Sequence, residues 1–315
     1  MNENNGTKDS KLPVLFVVFN RPDQTRTVFQ AIRQYAPKQL FVAADGPRQN
    51  RPSDLAGCAE VRKLVKNVDW DCEVKYLLRD TNLGCKRAVS SAIDWYFKNV
   101  EAGIILEDDC LPDKSFFRYC EEMIDKYRAD DKIMMISGNN FQGAGRVARD
   151  SYYFSRYTHI WGWASWRRAW KHYDVSMRAW PDLRKKRWLQ ELFNDEKMVR
   201  YWTKIFNAVH AGKIDTWDYQ WLFTSWLHNG LTVLPNVNLV SNIGFGVNST
   251  HTLQVDRFAN LPAKELSFPL KHPAKIERDA LADQYTESIM YQDQSVNIVF
   301  RSIRKIHKIW VALGK

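Results

Sequence analysis

The sequence predicts an α/β protein built on a doubly wound, mostly parallel sheet flanked by helices. Three observations point to it. Short apolar runs rich in β-branched and aromatic residues recur from Val14 to Ser137, helical patterns separate them, and polar clusters end several of them.

The elements follow in order. Val14–Phe19 reads as a strand covered on both faces and stops at Asn20-Arg21-Pro22. A helix then carries Val28, Ile32 and Tyr35 on one face, with Pro22 and Asp23 in its first turn. Strand Leu40–Ala44 ends at Asp45-Gly46-Pro47, a helix covers roughly Pro52–Asn67, and a strand covers Glu73–Leu78. Helix Cys85–Lys98 leads to strand Gly103–Leu106, which ends in Glu107-Asp108-Asp109. Helix Asp113–Tyr127 and strand Ile133–Ser137 complete the alternation, which implies right-handed crossovers.

After about Gly138 the texture changes. Ten of the 13 tryptophans fall between Trp161 and Trp226, too concentrated to reflect composition alone. The expected organisation is a disordered tail over 1–12, a doubly wound α/β domain over 13–145, an aromatic-rich subdomain over 146–260 and a C-terminal extension over 261–315.

The chain has 315 residues, 45% hydrophobic and 26% charged, the balance of a globular protein. Its net charge of +10 favours anionic partners. Outside the C-terminal segment the cations are interspersed with acids and no nucleic-acid-binding motif stands out, so nucleic acid is not an expected partner. Five cysteines without a Cys-x-x-Cys pair argue against a disulfide framework and for a reducing cytoplasm. Pro13–Phe19 is too short for a secretory leader, and no stretch approaches the ~20 apolar residues of a spanning helix.

Ligands of an open parallel sheet bind outside the carboxyl ends of its strands. Asn20-Arg21, Asp45 and Glu107-Asp108-Asp109 all fall there. Adjacent carboxylates at a buried strand end are costly unless a cation or donor compensates them, and a hard divalent ion, Mn2+ or Mg2+, suits oxygen ligands. The competing reading is that Asp108 and Asp109 cap the helix beyond Pro112.

The segment Ile104–Tyr119, with Glu107-Asp108-Asp109 followed by Phe116-Phe117-Arg118-Tyr119, resembles the metal-binding segment of the N-acetylglucosaminyltransferase I family. The likeness extends in order through Phe19-Asn20-Arg21, Asp45-Gly46, Asn82-Leu83-Gly84 with Lys86-Arg87, and Ser137-Gly138-Asn139-Asn140. Ile160-Trp161-Gly162-Trp163 and Trp217-Asp218-Tyr219 complete it. The resemblance implies a GT-A type fold and an inverting glycosyltransferase. Its donor is a nucleotide sugar, UDP-linked in that family, and its acceptor a hydroxyl of a glycan or lipid-linked glycan.

By the same resemblance Arg21 and Asp45 belong near the base and Lys86 or Arg87 near ribose or phosphate, with Phe19, Asn20 and Gly84 also among the donor-binding residues. Glu107 approaches the sugar, Asp108 the ribose or metal, and Asp109 ligates the metal. Before the third helix the residue chemistry departs from the family and looks more like bacterial sugar transferases, so the donor sugar does not carry over.

Charge grows on the leaving diphosphate as the glycosidic bond lengthens, and the acceptor hydroxyl must lose a proton to a general base. Asp218 is the candidate base, because flanking aromatics would dehydrate it. Asp215 is its nearest competitor, and capping of the helix Trp221–Leu227 is the alternative role for Asp218.

Trp161, Trp163, Trp166 and Trp170 have a spacing that partly fits one helical face, which favours core packing. Trp161, Trp163 and Trp217 are nonetheless the candidate sugar or acceptor contacts. His251, beyond Gly244-Phe245-Gly246, is a candidate metal ligand, with a structural role as its alternative.

Val299, Ile303, Ile306, Trp310 and Leu313 form one stripe with Arg301, Arg304, Lys305 and Lys308 largely outside it, a basic amphipathic helix. Peripheral contact with the inner face of the cytoplasmic membrane, docking on the domain and homodimer pairing are its open readings. Two other functions compete. A sugar-1-phosphate nucleotidyltransferase calls for a Gly-rich phosphate loop where Asn20-Arg21-Pro22 stands, and a non-catalytic carbohydrate-binding protein would use the aromatics without chemistry.

Overall fold

In the computed structural model, residues 11–143, 149–244, 258 and 260–291 are described. His251 and the C-terminal stripe fall outside them. The chain divides into two compact units, one comprising residues up to Ser176 with Asp215–Arg278, the other Met177–Ile214 with the chain from Asp279 onward.

The first unit opens with β1 (Val14–Val18), α1 (Pro22–Tyr35), β2 (Gln39–Ala44), α2 (Ser53–Val65), β3 (Glu73–Leu78) and α3 (Gly84–Asn99). It continues with β4 (Ala102–Glu107), β5 (Cys110–Pro112), α4 (Lys114–Lys126) and β6 (Ile133–Ser137). These match the expected alternation to within a few residues. Beyond it come β7 (Tyr152–Ser155), β8 (Trp163–Trp166) and α5 (Arg167–Trp170).

The second unit contributes α6 (Trp180–Lys185), α7 (Trp188–Leu192) and α8 (Glu196–His210). The first resumes with α9 (Asp218–Leu227), β9 (Leu231–Pro235) and β10 (Val240–Asn242), and α10 (Ala280–Thr286) belongs to the second. In that second unit α8 buries Trp202 and Phe206, and Trp180 Nε1 donates to Asn207 at 3.1 Å.

Eight strands form one sheet in the order β3-β2-β1-β4-β8-β6-β9-β7. Pairs β3·β2, β2·β1, β1·β4 and β6·β9 are parallel, while β8 runs antiparallel between β4 and β6. This is the mostly parallel, helix-flanked sheet that the GT-A reading calls for. Side chains alternate across it. Val14, Phe16 and Val18 pack on one face with α1 and α4, while Leu15 and Phe41 face Ala92, Ile93 and Tyr96 of α3 on the other.

The tryptophan spacing is corrected here. Trp163 and Trp166 lie on a strand, so a separation of three sends them to opposite faces, Trp163 to the α3 side and Trp166 to the α4 side. Trp163 stacks on Trp217 at 5.6 Å, and with Trp170 and Trp221 they fill the second core cluster.

Candidate active site

β1 and β4 are adjacent and parallel, so their carboxyl ends deliver Arg21 and Glu107-Asp108-Asp109 to one edge. The compensator of the acid pair is Arg21. Its Nη2 donates to Asp108 Oδ1, and its Nη1 lies 2.9 Å from Asp109 Oδ2. Phe19 N donates to the other Asp108 oxygen at 3.2 Å, so both oxygens of Asp108 are engaged. Asp108 is buried, with 3% side-chain exposure, whereas Asp109 keeps 15%.

Neither aspartate caps α4. That role falls to Asp113, whose carboxylate accepts Ser115 N at 2.8 Å. Instead, β5 pairs antiparallel with β10, and Ile243 N donates to Asp109 O at 2.8 Å. This brings Gly244 over the pair, where a Cβ would collide with Asp109 Oδ2 and stand 2.7 Å from Arg21 Nη1.

The electrostatics follow. Burial opposes the charge on Arg21, but Asp108 and Asp109 outweigh it and raise its pKa above the usual range. Burial, then the charges of Asp109 and Asp108, push the Glu107 carboxyl up to about 8 against the pull of Arg21. Burial also raises Asp108, with Arg21 working in the opposite direction.

Asp218 acts on Glu107 as well, so α9 brings a further carboxylate to this edge. It is the first residue of α9, behind an N-cap position held by Trp217 without a side-chain cap bond. Its Oδ1 accepts the Thr216 hydroxyl. The half-buried Cys85 of α3 feels Glu107, Asp218, Asp215 and Asp109 together, and burial with these charges raises its thiol. Arg21, Glu107, Asp108, Asp109, Cys85, Asp215 and Asp218 thus share one neighbourhood.

Other candidates serve the scaffold. Asp45 is 7% exposed and spends its oxygens on Leu83 N, at 3.1 Å, and Asn82 Nδ2, at 2.9 Å, tying the end of β2 to the turn before α3. Asn20 donates to Asp54 at 2.8 Å, and Asp54 is itself held by Arg48. Trp163 and Trp217 are 0% and 2% exposed, so they pack the core and offer no face to a sugar. Trp161, half-buried against Phe141, is the aromatic that keeps an exposed surface.

Lys86 is half-buried and Arg87 exposed in the first turns of α3. Sequence reasoning missed a cleft of about 470 Å³ lined by Arg48, Gln49, Asn50, Arg51, Thr81 and Asn82. The Arg-x-x-Arg run beyond Gly46 was its only local signal. It also missed Asn238, buried and donating to Val240 O at 2.9 Å, which holds the chain entering β10.

Among the described residues no group of three or more His, Cys, Asp or Glu side chains is arranged to hold a metal. The five cysteines are free of disulfides, and among the described residues no helix is long and apolar enough to cross a membrane.

No family model and no curated protein matches the chain. Solved structures overlap it in part. HddC from Yersinia pseudotuberculosis is 8% identical over 50% of this chain and 77% of its own, with a TM-score of 0.30. Mouse xyloside xylosyltransferase 1 is 11% identical over 68% of this chain and 81% of its own, at 0.35. The WbbM bifunctional glycosyltransferase is 12% identical over 44% of this chain and 24% of its own, at 0.26. At these scores the overlaps carry no argument, and the fold rests on the strand order itself.

Proposed function

We propose that this chain is an inverting glycosyltransferase that moves a sugar from a nucleoside diphosphate donor, UDP-linked by resemblance, to a hydroxyl acceptor. The carrying observation is the gathering of Arg21, Glu107, Asp109 and Asp218 at the carboxyl edge of β1 and β4 beside the first turn of α3. Such an edge offers fixed cations to phosphates and carboxylates to sugar hydroxyls.

Asp218 takes the acceptor proton. Lys86 and Arg21 counter the charge left on the diphosphate. Trp161 supplies an apolar face to a sugar ring, and the acceptor is a glycan or lipid-linked glycan.

The residues fit a divalent cation, Mn2+ or Mg2+, that takes one protein carboxylate. Asp109 is the more exposed of the pair, at 15% against 3% for Asp108, and a cation there would share its oxygens with Arg21 and the Cys110 thiol. When bound, the cation would neutralise the leaving diphosphate, whose own oxygens complete its shell.

A thermal-shift screen of nucleotide sugars with Mn2+, followed by an assay for sugar transfer, tests the proposal. One donor is expected to stabilise the protein and to be turned over. Stabilisation by a nucleoside triphosphate, with pyrophosphate released from it and a sugar phosphate, would identify a nucleotidyltransferase instead.

A further inference from the structure

Asp215 is a carboxylate that the proposed reaction leaves unused. Its Oδ2 accepts the amide of Cys85 at 3.0 Å, and its Oδ1 accepts the amide of Lys86 at 3.1 Å. Both amides belong to the first turn of α3, where Leu83, in the N-cap position, makes no side-chain cap bond. The helix therefore takes its cap from a loop 130 residues further along the chain. Gly84 permits the approach, since its φ is +76° and a Cβ there would stand 2.7 Å from Asp215 Oδ2.

The far side of the loop is fixed as firmly. Thr216 donates its hydroxyl to Asp218, Tyr173 donates its hydroxyl to Trp217 O at 3.1 Å, and the Trp217 ring stacks on Trp163. A carboxylate with each oxygen on a backbone amide is not turned toward an acceptor.

We infer that Asp215 is a positioning residue. It clamps the first turn of α3, which carries Lys86, to the start of α9, which carries Asp218, and so sets the spacing between phosphate-facing cation and acceptor-facing base. The inference rests on the reaction proposed above.

D215A and D215N separate the possibilities, because asparagine can still accept one amide through its oxygen but cannot take up a proton. In D215A, kcat is expected to fall by about 10²-fold, the scale of a misplacement of ~1 Å. Donor KM should change little, and D215N should recover most of the loss. Hydrogen exchange at the Cys85 and Lys86 amides should be fastest in D215A and intermediate in D215N.

If D215N is as inactive as D215A, the clamp is overturned in favour of Asp215 as the base. Wild-type kcat in D215A, or unchanged exchange at the two amides, overturns it outright. If D215A does not fold, D215N decides through its kcat and the exchange at Cys85. Absence of transfer by the wild type would fell the reaction, leaving exchange to judge the clamp.

Discussion

Removing the Arg21 side chain would leave two neighbouring carboxylates without the guanidinium that joins them, one of them nearly dry. Breaking a buried pair from one side strands the remaining charge, so R21A is expected to cost on the order of 3 kcal/mol, read from the urea midpoint. R21K keeps the charge but loses the fork that reaches both acids, and should fall between. Equal stability of R21A and the wild type would contradict the arrangement. D218N should lower turnover by about 10²–10⁴-fold while leaving donor affinity unchanged; an active D218N moves the base elsewhere.

His159 offers a residue-scale test through pH. Burial pushes its pKa from 6.5 down to about 3, and among the described residues its Nε2 has no hydrogen-bond partner. Below about pH 6.5 the unfolded chain therefore takes up a proton that the folded chain refuses, so stability declines as pH falls toward about 3. By about pH 4.5 this residue should account for a loss on the order of 2–3 kcal/mol. Denaturation of wild type and H159Q at pH 7 and at pH 4.5 checks it. A parallel loss in both proteins would remove His159 as the cause.

The placement of Arg21, Glu107, Asp109 and Asp218 was legible in the sequence because each sits at a strand or helix end marked by local pattern. The occupation of Asp45 by Leu83 N was not, since nothing local records which amide a carboxylate will meet. The burial of Trp163 and Trp217 was equally hidden, because an aromatic residue reads alike as core or as sugar platform.

At the scale of elements, Gly84 and Gly46 carry the turn before α3. A Cβ at Gly46 would run into the backbone of Thr81, and one at Gly84 into Asp215. G84A adds the left-handed strain to that collision and should cost about 1–2 kcal/mol, read by thermal or urea denaturation. Unaltered stability would mean that the turn yields freely.

The βα units up to Ser137 were legible because each strand is one continuous apolar run and each helix has a repeating face. β7 and β10 were not, being four and three residues long and lacking flanking helices to set a rhythm, and β9 went unread although it follows α9. β8 was misread because two tryptophans three apart suit a helix as well as a strand that is buried on both faces.

For the molecule as a whole, a cation held by Asp109 and by the donor should bind with the nucleotide and poorly before it. Mn2+ alone is then expected to leave the unfolding temperature nearly unchanged. Mn2+ with a nucleoside diphosphate at a hundred times its dissociation constant should add about 2.7 kcal/mol. A large shift from Mn2+ alone would point to a preformed metal site.

The pairing of β5 with β10 has a consequence for biosynthesis. Cys110 meets Asn242, and Gly244 closes on Arg21 and Asp109, so the acidic edge borrows its last wall from chain made long after the strands that bear the acids. On a ribosome, the early βα units can emerge and collapse while that wall is still untranslated. A nascent chain halted before Val240 would carry its acidic edge uncovered, so that edge is completed late in synthesis.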